Sequence, residues 1–206
     1  VIHMIAQGAL MGARGNSGVI LSQILRGFAR ALDQNETLDA ETLVKAFAES
    51  RNTAYKGVVR PVEGTILTVS KDIAKAAEEA QASTNDLIEI MSKVVKAADI
   101  SVVNTPNLLP ILKQAGVVDS GGKGLYFILE GILRSATDQS LDYDESQKIE
   151  ATVDLNAVKF AGLHEEIEEG QDFEIVVDFK PNGELDLPKF YEELGRIGTS
   201  IQVGEG

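Results

Sequence analysis

Gly8-Ala9-Leu10-Met11-Gly12-Ala13-Arg14-Gly15-Asn16-Ser17-Gly18-Val19-Ile20-Leu21-Ser22-Gln23-Ile24-Leu25-Arg26-Gly27-Phe28 changes character in its middle. Up to Gly18 it is crowded with small residues. From Ser17 to Leu32 the apolar positions Val19, Ile20, Ile24, Leu25, Phe28, Ala31 and Leu32 recur at helical spacing. A glycine-bearing turn therefore opens an amphipathic helix. Small residues let backbone N–H groups approach a ligand, and the positive end of the following helix is turned toward it. Arg14 adds a fixed charge and Ser17 a hydroxyl, so Arg14, Gly15, Asn16, Ser17 and Gly18 form a candidate nest for phosphate oxygens. The same spacing equally describes a tight turn between helices with Ser17 as N-cap.

Working outward, the helical period continues. Thr37-Leu38-Asp39 opens a helix running to about Tyr55, and Pro61 breaks the chain. Further helices are expected from Thr65 to Gln81, and from a cap at Thr84 through Ala98. A short one starts at Pro106 and ends at Gly116, and a last long one covers Ser120 to Ser135. Short connections between amphipathic helices imply antiparallel packing around one core. Upstream, Val1 to Ala6 is already helix-like with no capping residue, which reads as a chain that begins inside an element. His3 is expected as a packed histidine on that apolar face.

Two more helix starts carry glycine. In Arg60-Pro61-Val62-Glu63-Gly64-Thr65-Ile66 the candidates are Gly64 and Thr65, with Thr65 as a plain cap the simpler reading. Gly116-Val117-Val118-Asp119-Ser120-Gly121-Gly122-Lys123-Gly124 holds four glycines in nine residues, more than a cap requires. Its candidates are Asp119, Ser120 and Gly121, with Asp119 either a ligand contact or a cap. None of the three has Walker spacing.

The rest of the chain differs. Asp138 to Gly170 holds ten acidic residues against Lys148 and Lys159 and reads as an acidic linker with one short strand near Ala151 to Val153. His164 and the cluster Glu165, Glu166, Glu168 and Glu169 read as solvated. The period then becomes that of a strand at Phe173 to Phe179. A turn at Pro181-Asn182-Gly183, a helix from Leu187 to Ile197 and a strand at Ser200 to Val203 follow. The expected organisation is a helical nucleotide-binding domain over 1–137, a linker over 138–170, and the start of a small α+β domain over 171–206.

Composition excludes several classes. A formal charge of −13 argues against nucleic acid, whose backbone selects Lys- and Arg-rich faces. With no cysteine there is no disulfide, thiol nucleophile or thiolate metal site, and only His3 and His164 offer imidazole. No apolar run approaches the ~20 residues of a membrane span, and no signal-peptide pattern occurs, so a cytoplasmic location is expected.

The run from Gly8 to Phe28, with Pro61 to Leu67 and Gly116 to Gly122, resembles the kinase subunit of bacterial fatty acid kinase. The first domain of that subunit is similar to the ATP-binding subunit of dihydroxyacetone kinase. The resemblance covers residues 1 to 136 most strongly and implies a closed barrel of antiparallel helices, one end of which binds magnesium-ATP. By position, Asn16, Ser17 and Gly18 would hold the phosphates, Gly64 and Thr65 would lie beside the nucleotide, and Asp119, Ser120 and Gly121 would border the base and ribose. The phosphoryl acceptor would be a fatty acid carried by a separate fatty-acid-binding protein, with a homodimer left open. The acidic Asp-x-Asp-x-x-x-Asn loop that holds magnesium in this family is absent here and is expected upstream of Val1, so residues 1–206 alone should not turn over. Where the family's middle domain often has a cysteine, this chain has Asp172. The alternatives are a dihydroxyacetone-type kinase subunit and a helical interaction module without catalysis.

Overall fold

The computed structural model describes residues 1–33, 35, 37–140, 175, 177, 179–183, 185–198 and 201. Among them the regular structure is helical: α1 (Ile2–Gly12), α2 (Gly15–Ala31), α3 (Ala40–Lys56), α4 (Ile66–Gln81), α5 (Leu87–Leu108), α6 (Pro110–Ala115), α7 (Ser120–Ala136) and α8 (Leu187–Leu194). The mainly α fold expected from the periodicity is the fold observed. The expected strand at 151–153, the strand at 200–203 apart from Ile201, the linker from 141 to 170, His164 and its acidic neighbours lie outside the described residues. So does most of 173–179, of which Ile175, Val177 and Phe179 are described and belong to no helix or strand.

Sequential helices pack side by side from α1 to α5. α7 then returns against both α5 and α4, and α2 also reaches α4 and α7. The core between them is built from Ile20 and Ile24 of α2, Leu43 and Phe47 of α3, Leu67, Val69 and Ile73 of α4, Ile90, Val94 and Val102 of α5, and Leu125 and Leu129 of α7. Burying each such side chain contributes roughly 1.5–3 kcal/mol. Phe28 meets Phe47 edge-on at 5.6 Å, which ties α2 to α3.

Helix starts follow cap chemistry. The Asp39 carboxylate accepts from Thr42 N–H at the start of α3. α5 differs from the expectation in two ways. Its cap is Asp86, which accepts from the N–H groups of Ile88 and Glu89, while Thr84 accepts from Asp86 N–H in the preceding turn. It also runs through Pro106, where a new helix was expected to start. Proline's missing N–H leaves the carbonyl of Val102 without its usual helical partner. The Thr105 hydroxyl donates to that carbonyl at 2.7 Å, so the helix continues for another two residues. The short helix begins instead with Pro110 in its first turn. α8 stops at Leu194, three residues before the expected Ile197.

Candidate functional site

The three glycine-bearing junctions, far apart in sequence, meet in space. A methyl group at Gly121, in the first turn of α7, would sit 3.1 Å from Ser17 Oγ and 3.4 Å from Ile66 Cβ. The N-terminal ends of α2, α4 and α7 therefore converge on one spot. Each end carries about half a positive charge from its aligned peptide dipoles.

Their caps divide the three ends into two kinds. Thr65 caps α4, its Oγ1 accepting from Leu67 N–H at 3.3 Å and donating to Val62 O at 2.8 Å. Asp119 caps α7, accepting from Gly122 N–H at 2.6 Å, and it faces the Ile66 N–H at the start of α4. Burial pushes the Asp119 carboxyl above the ordinary aspartate range, while those two amides act in the opposite direction. Its own N–H donates to Thr105 Oγ1, which is wholly buried, so α5 fixes where Asp119 stands.

α2 is different, because no side chain caps it. The first amides of a helix have no partner within it, so those of Gly15, Asn16 and Ser17 stay open. Gly15 has φ +63°, the left-handed turn that carries the chain from extended Arg14 into the helix. Ser17 is not the N-cap: Arg14 holds that position, and Ser17 lies exposed in the first turn with its hydroxyl toward Gly121. The Arg14 guanidinium donates back to Ala13 O at 2.7 Å and Met11 O at 3.4 Å, serving the carbonyl end of α1. Ser120 is exposed at the first position of α7. Among the expected residues, then, Ser17, Asp119 and Gly121 are brought together, with Thr65 next to Ile66 at the same spot, and Arg14 is turned away.

The expected Gly64 is a buried turn, and sequence reasoning missed the residues that support it, Glu63, Thr68, Tyr55 and Lys71. Gly64, with φ +83°, is buried beneath α5 and α6: a methyl group there would lie 2.7 Å from Leu109 Cβ and 2.9 Å from Thr105 O. Its N–H donates to Thr68 Oγ1 at 2.8 Å, and the Thr68 hydroxyl donates to Glu63 Oε2 at 2.7 Å. Glu63 also accepts from Tyr55 OH at 3.0 Å and pairs with Lys71 Nζ at 2.6 Å. Burial pushes Glu63 up, yet the bonds from Lys71, Thr68 and Tyr55 outweigh it and leave the carboxyl below the ordinary glutamate range. The signal available in sequence was a carboxylate five residues before a threonine and eight before a lysine, which many surface helices also show.

Two other features lie elsewhere. A cleft of about 770 Å³ between α1 and α2 is lined by residues including His3, Met4, Leu10, Arg26 and Arg30. Arg26 is nine residues along α2 from Ser17, about 14 Å at helical rise, so this cleft is separate from the junction. His3 is not packed on an apolar face as expected: it is exposed, and Nε2 meets Asp33 Oδ1 at 2.6 Å. Among the described residues no three His, Cys, Asp or Glu side chains gather as a metal cluster. No described helix is long and apolar enough to cross a membrane.

Residues 1–134 match the family model described as the DAK2 domain, a span that contains all three junctions. Uncharacterized proteins of three staphylococci are similar over nearly the whole chain. That of Staphylococcus saprophyticus is 41% identical over 201 residues, covering 96% of this chain and 36% of the relative. That of Staphylococcus haemolyticus is 42% identical with the same coverage. A Staphylococcus aureus protein is 41% identical over 204 residues, covering 37% of its length. The chain thus spans little more than a third of the relatives it matches.

Proposed function

The chain belongs to the DAK2-domain family, which is dihydroxyacetone kinase-like, and on that premise we propose that the junction of α2, α4 and α7 binds the polyphosphate of ATP in a kinase. The observation that carries this reading is that, of the three helix ends at the junction, α2 alone has no side-chain cap. Asp119 and Thr65 occupy the ends of α7 and α4, while the amides of Gly15, Asn16 and Ser17 and the Ser17 hydroxyl are free to donate. An anion placed there gains several N–H bonds and a favourable dipole. Ser120 and Gly121, on the side of Asp119, are left for the base and ribose. Closure of the helices into a barrel is part of this reading, supported by the contact of α2 with both α4 and α7.

The donor set suits phosphate and does not suit a divalent cation. Asp119 is the carboxylate at the junction, and it is already engaged in capping α7 through Gly122 N–H. Magnesium ligands are proposed to lie outside the junction, whose own residues are proposed to bind and orient the nucleotide. The acceptor is proposed, from the resemblance to fatty acid kinase, to be a fatty acid presented by a separate binding protein. A carboxylate oxygen would attack the γ-phosphorus, the bond to the β-bridging oxygen would break, and ADP would leave with an acyl phosphate formed. Such chemistry asks the protein mainly for positioning and charge neutralisation.

Asn16→Ala combined with Ser17→Ala, in the full-length protein, is expected to weaken ATP binding at least about tenfold, or roughly 1.4 kcal/mol. Calorimetry gives the affinity, and equal values for wild type and double variant would remove the phosphate role. The acceptor is tested separately, by comparing phosphorylation of a fatty acid on its carrier with that of dihydroxyacetone.

A further inference from the structure

Glu63 lies outside the residues that line the junction, yet a continuous chain of hydrogen bonds leads from its carboxylate to the start of α4. Oε2 accepts from the Thr68 hydroxyl at 2.7 Å, and that hydroxyl accepts from Gly64 N–H at 2.8 Å. Thr68 and Gly64 are both buried. A hydroxyl has one proton, so donating it to Glu63 leaves its lone pairs for the Gly64 amide, and the direction of the relay is fixed. Bonds in such a chain strengthen one another, the more so when the last acceptor is charged. The outer end of the chain is held by Tyr55 OH from α3 and Lys71 Nζ from α4.

The inner end controls a backbone turn with no alternative position. Gly64 is left-handed, and α5 and α6 crowd it through Thr105 O and Leu109 Cβ. The next residues are Thr65, which caps α4, and Ile66, whose amide faces Asp119 and whose Cβ neighbours the Gly121 position beside Ser17. A shift at Gly64 is passed directly to those two contacts.

We propose that Glu63 is a positioning residue for the nucleotide site: acting through Thr68 and the Gly64 amide, it sets the start of α4 against α2 and α7. The inference rests on the reading of the junction as the ATP site. It requires an acceptor at position 63 rather than the charge itself. Glutamine can still accept from Thr68 and face Tyr55 with its amide, whereas alanine leaves the Thr68 hydroxyl without its acceptor.

Binding of magnesium-ATP to the full-length protein, measured by calorimetry alongside the thermal midpoint, separates these roles. Glu63→Ala and Thr68→Val should each weaken binding about fivefold, the double variant should be no weaker than either single, and Glu63→Gln should stay within about twofold of wild type. If Glu63→Ala does not fold, Glu63→Gln and Thr68→Val carry the test. Unchanged affinity in Thr68→Val and Glu63→Ala, with only the thermal midpoint lowered, would make the network merely structural and overturn the inference. A Glu63→Gln variant as weak as Glu63→Ala would overturn it as well, because charge and not the relay would then be responsible. Asn16→Ala with Ser17→Ala is the reference. If that variant is weakened and the Glu63 and Thr68 variants are not, the inference alone fails; if it too binds normally, the site reading fails and the inference with it.

Discussion

A methyl group at Gly27 would stand 2.3 Å from the carbonyl oxygen of Glu49 and 2.8 Å from Ser50 Cα, closer than any relaxed contact allows. The obstacle is backbone, so α2 and α3 would have to separate. Gly27→Ala is expected to destabilise by about 3 kcal/mol or more, since overpacking against an unyielding neighbour is costly. Gly131 in α7 has nothing within reach of an added methyl group. There Gly131→Ala should stabilise by about 0.5–1 kcal/mol, because alanine loses less backbone freedom on entering a helix. Chemical denaturation of the two variants checks both signs at once. Nothing in the sequence around Gly27 and Gly131 separates them, since each interrupts an apolar helical stripe; the difference arises from which helix lies opposite.

At the scale of elements, Gly122 sets how closely α7 approaches α4. An added Cβ would lie 2.8 Å from Val69 Cγ2 and 3.2 Å from Asp119 Oδ2, so it would press on the core and on the cap together. Gly122→Ala should cost about 1–3 kcal/mol, and it should weaken nucleotide binding by moving Asp119. Val69 is fully buried, and truncating it to alanine opens space where the new methyl group would go. In a double-mutant cycle Val69→Ala with Gly122→Ala should therefore lose less stability than the two single losses added, by about 1 kcal/mol. Additive losses would mean that the helices part elsewhere. The helices themselves were legible because their apolar residues keep a 3.6-residue period and because α3, α4, α5, α7 and α8 have Asp or Thr at the cap. The end of α5 was not: Pro106 reads as a helix start until Thr105 is seen to satisfy the carbonyl that proline leaves open.

Over the whole molecule, the three junctions were each recognisable as helix starts rich in glycine, but their meeting is a product of tertiary packing. Residues 17, 66 and 121 come together only because α7 returns across α4 and touches α2. The same packing decides which candidates face the site. Ser17 does so because the cap position falls to Arg14, and Arg14 does not because the carbonyls ending α1 are nearer. Asp119 was left open as ligand or cap, and it caps α7. Family likeness over residues 1–134 agrees with kinase ancestry. What distinguishes the proposal from ancestry alone is the prediction that phosphate engages one helix end of the three. Amide hydrogen exchange of the full-length protein with and without magnesium-ATP tests this most directly. The account predicts slowed exchange at Gly15 to Gly18 above all, with smaller protection at Gly64 to Leu67 and at Asp119 to Gly122. Protection confined to the cleft between α1 and α2, or no protection at Gly15 to Gly18 under saturating nucleotide, would contradict it.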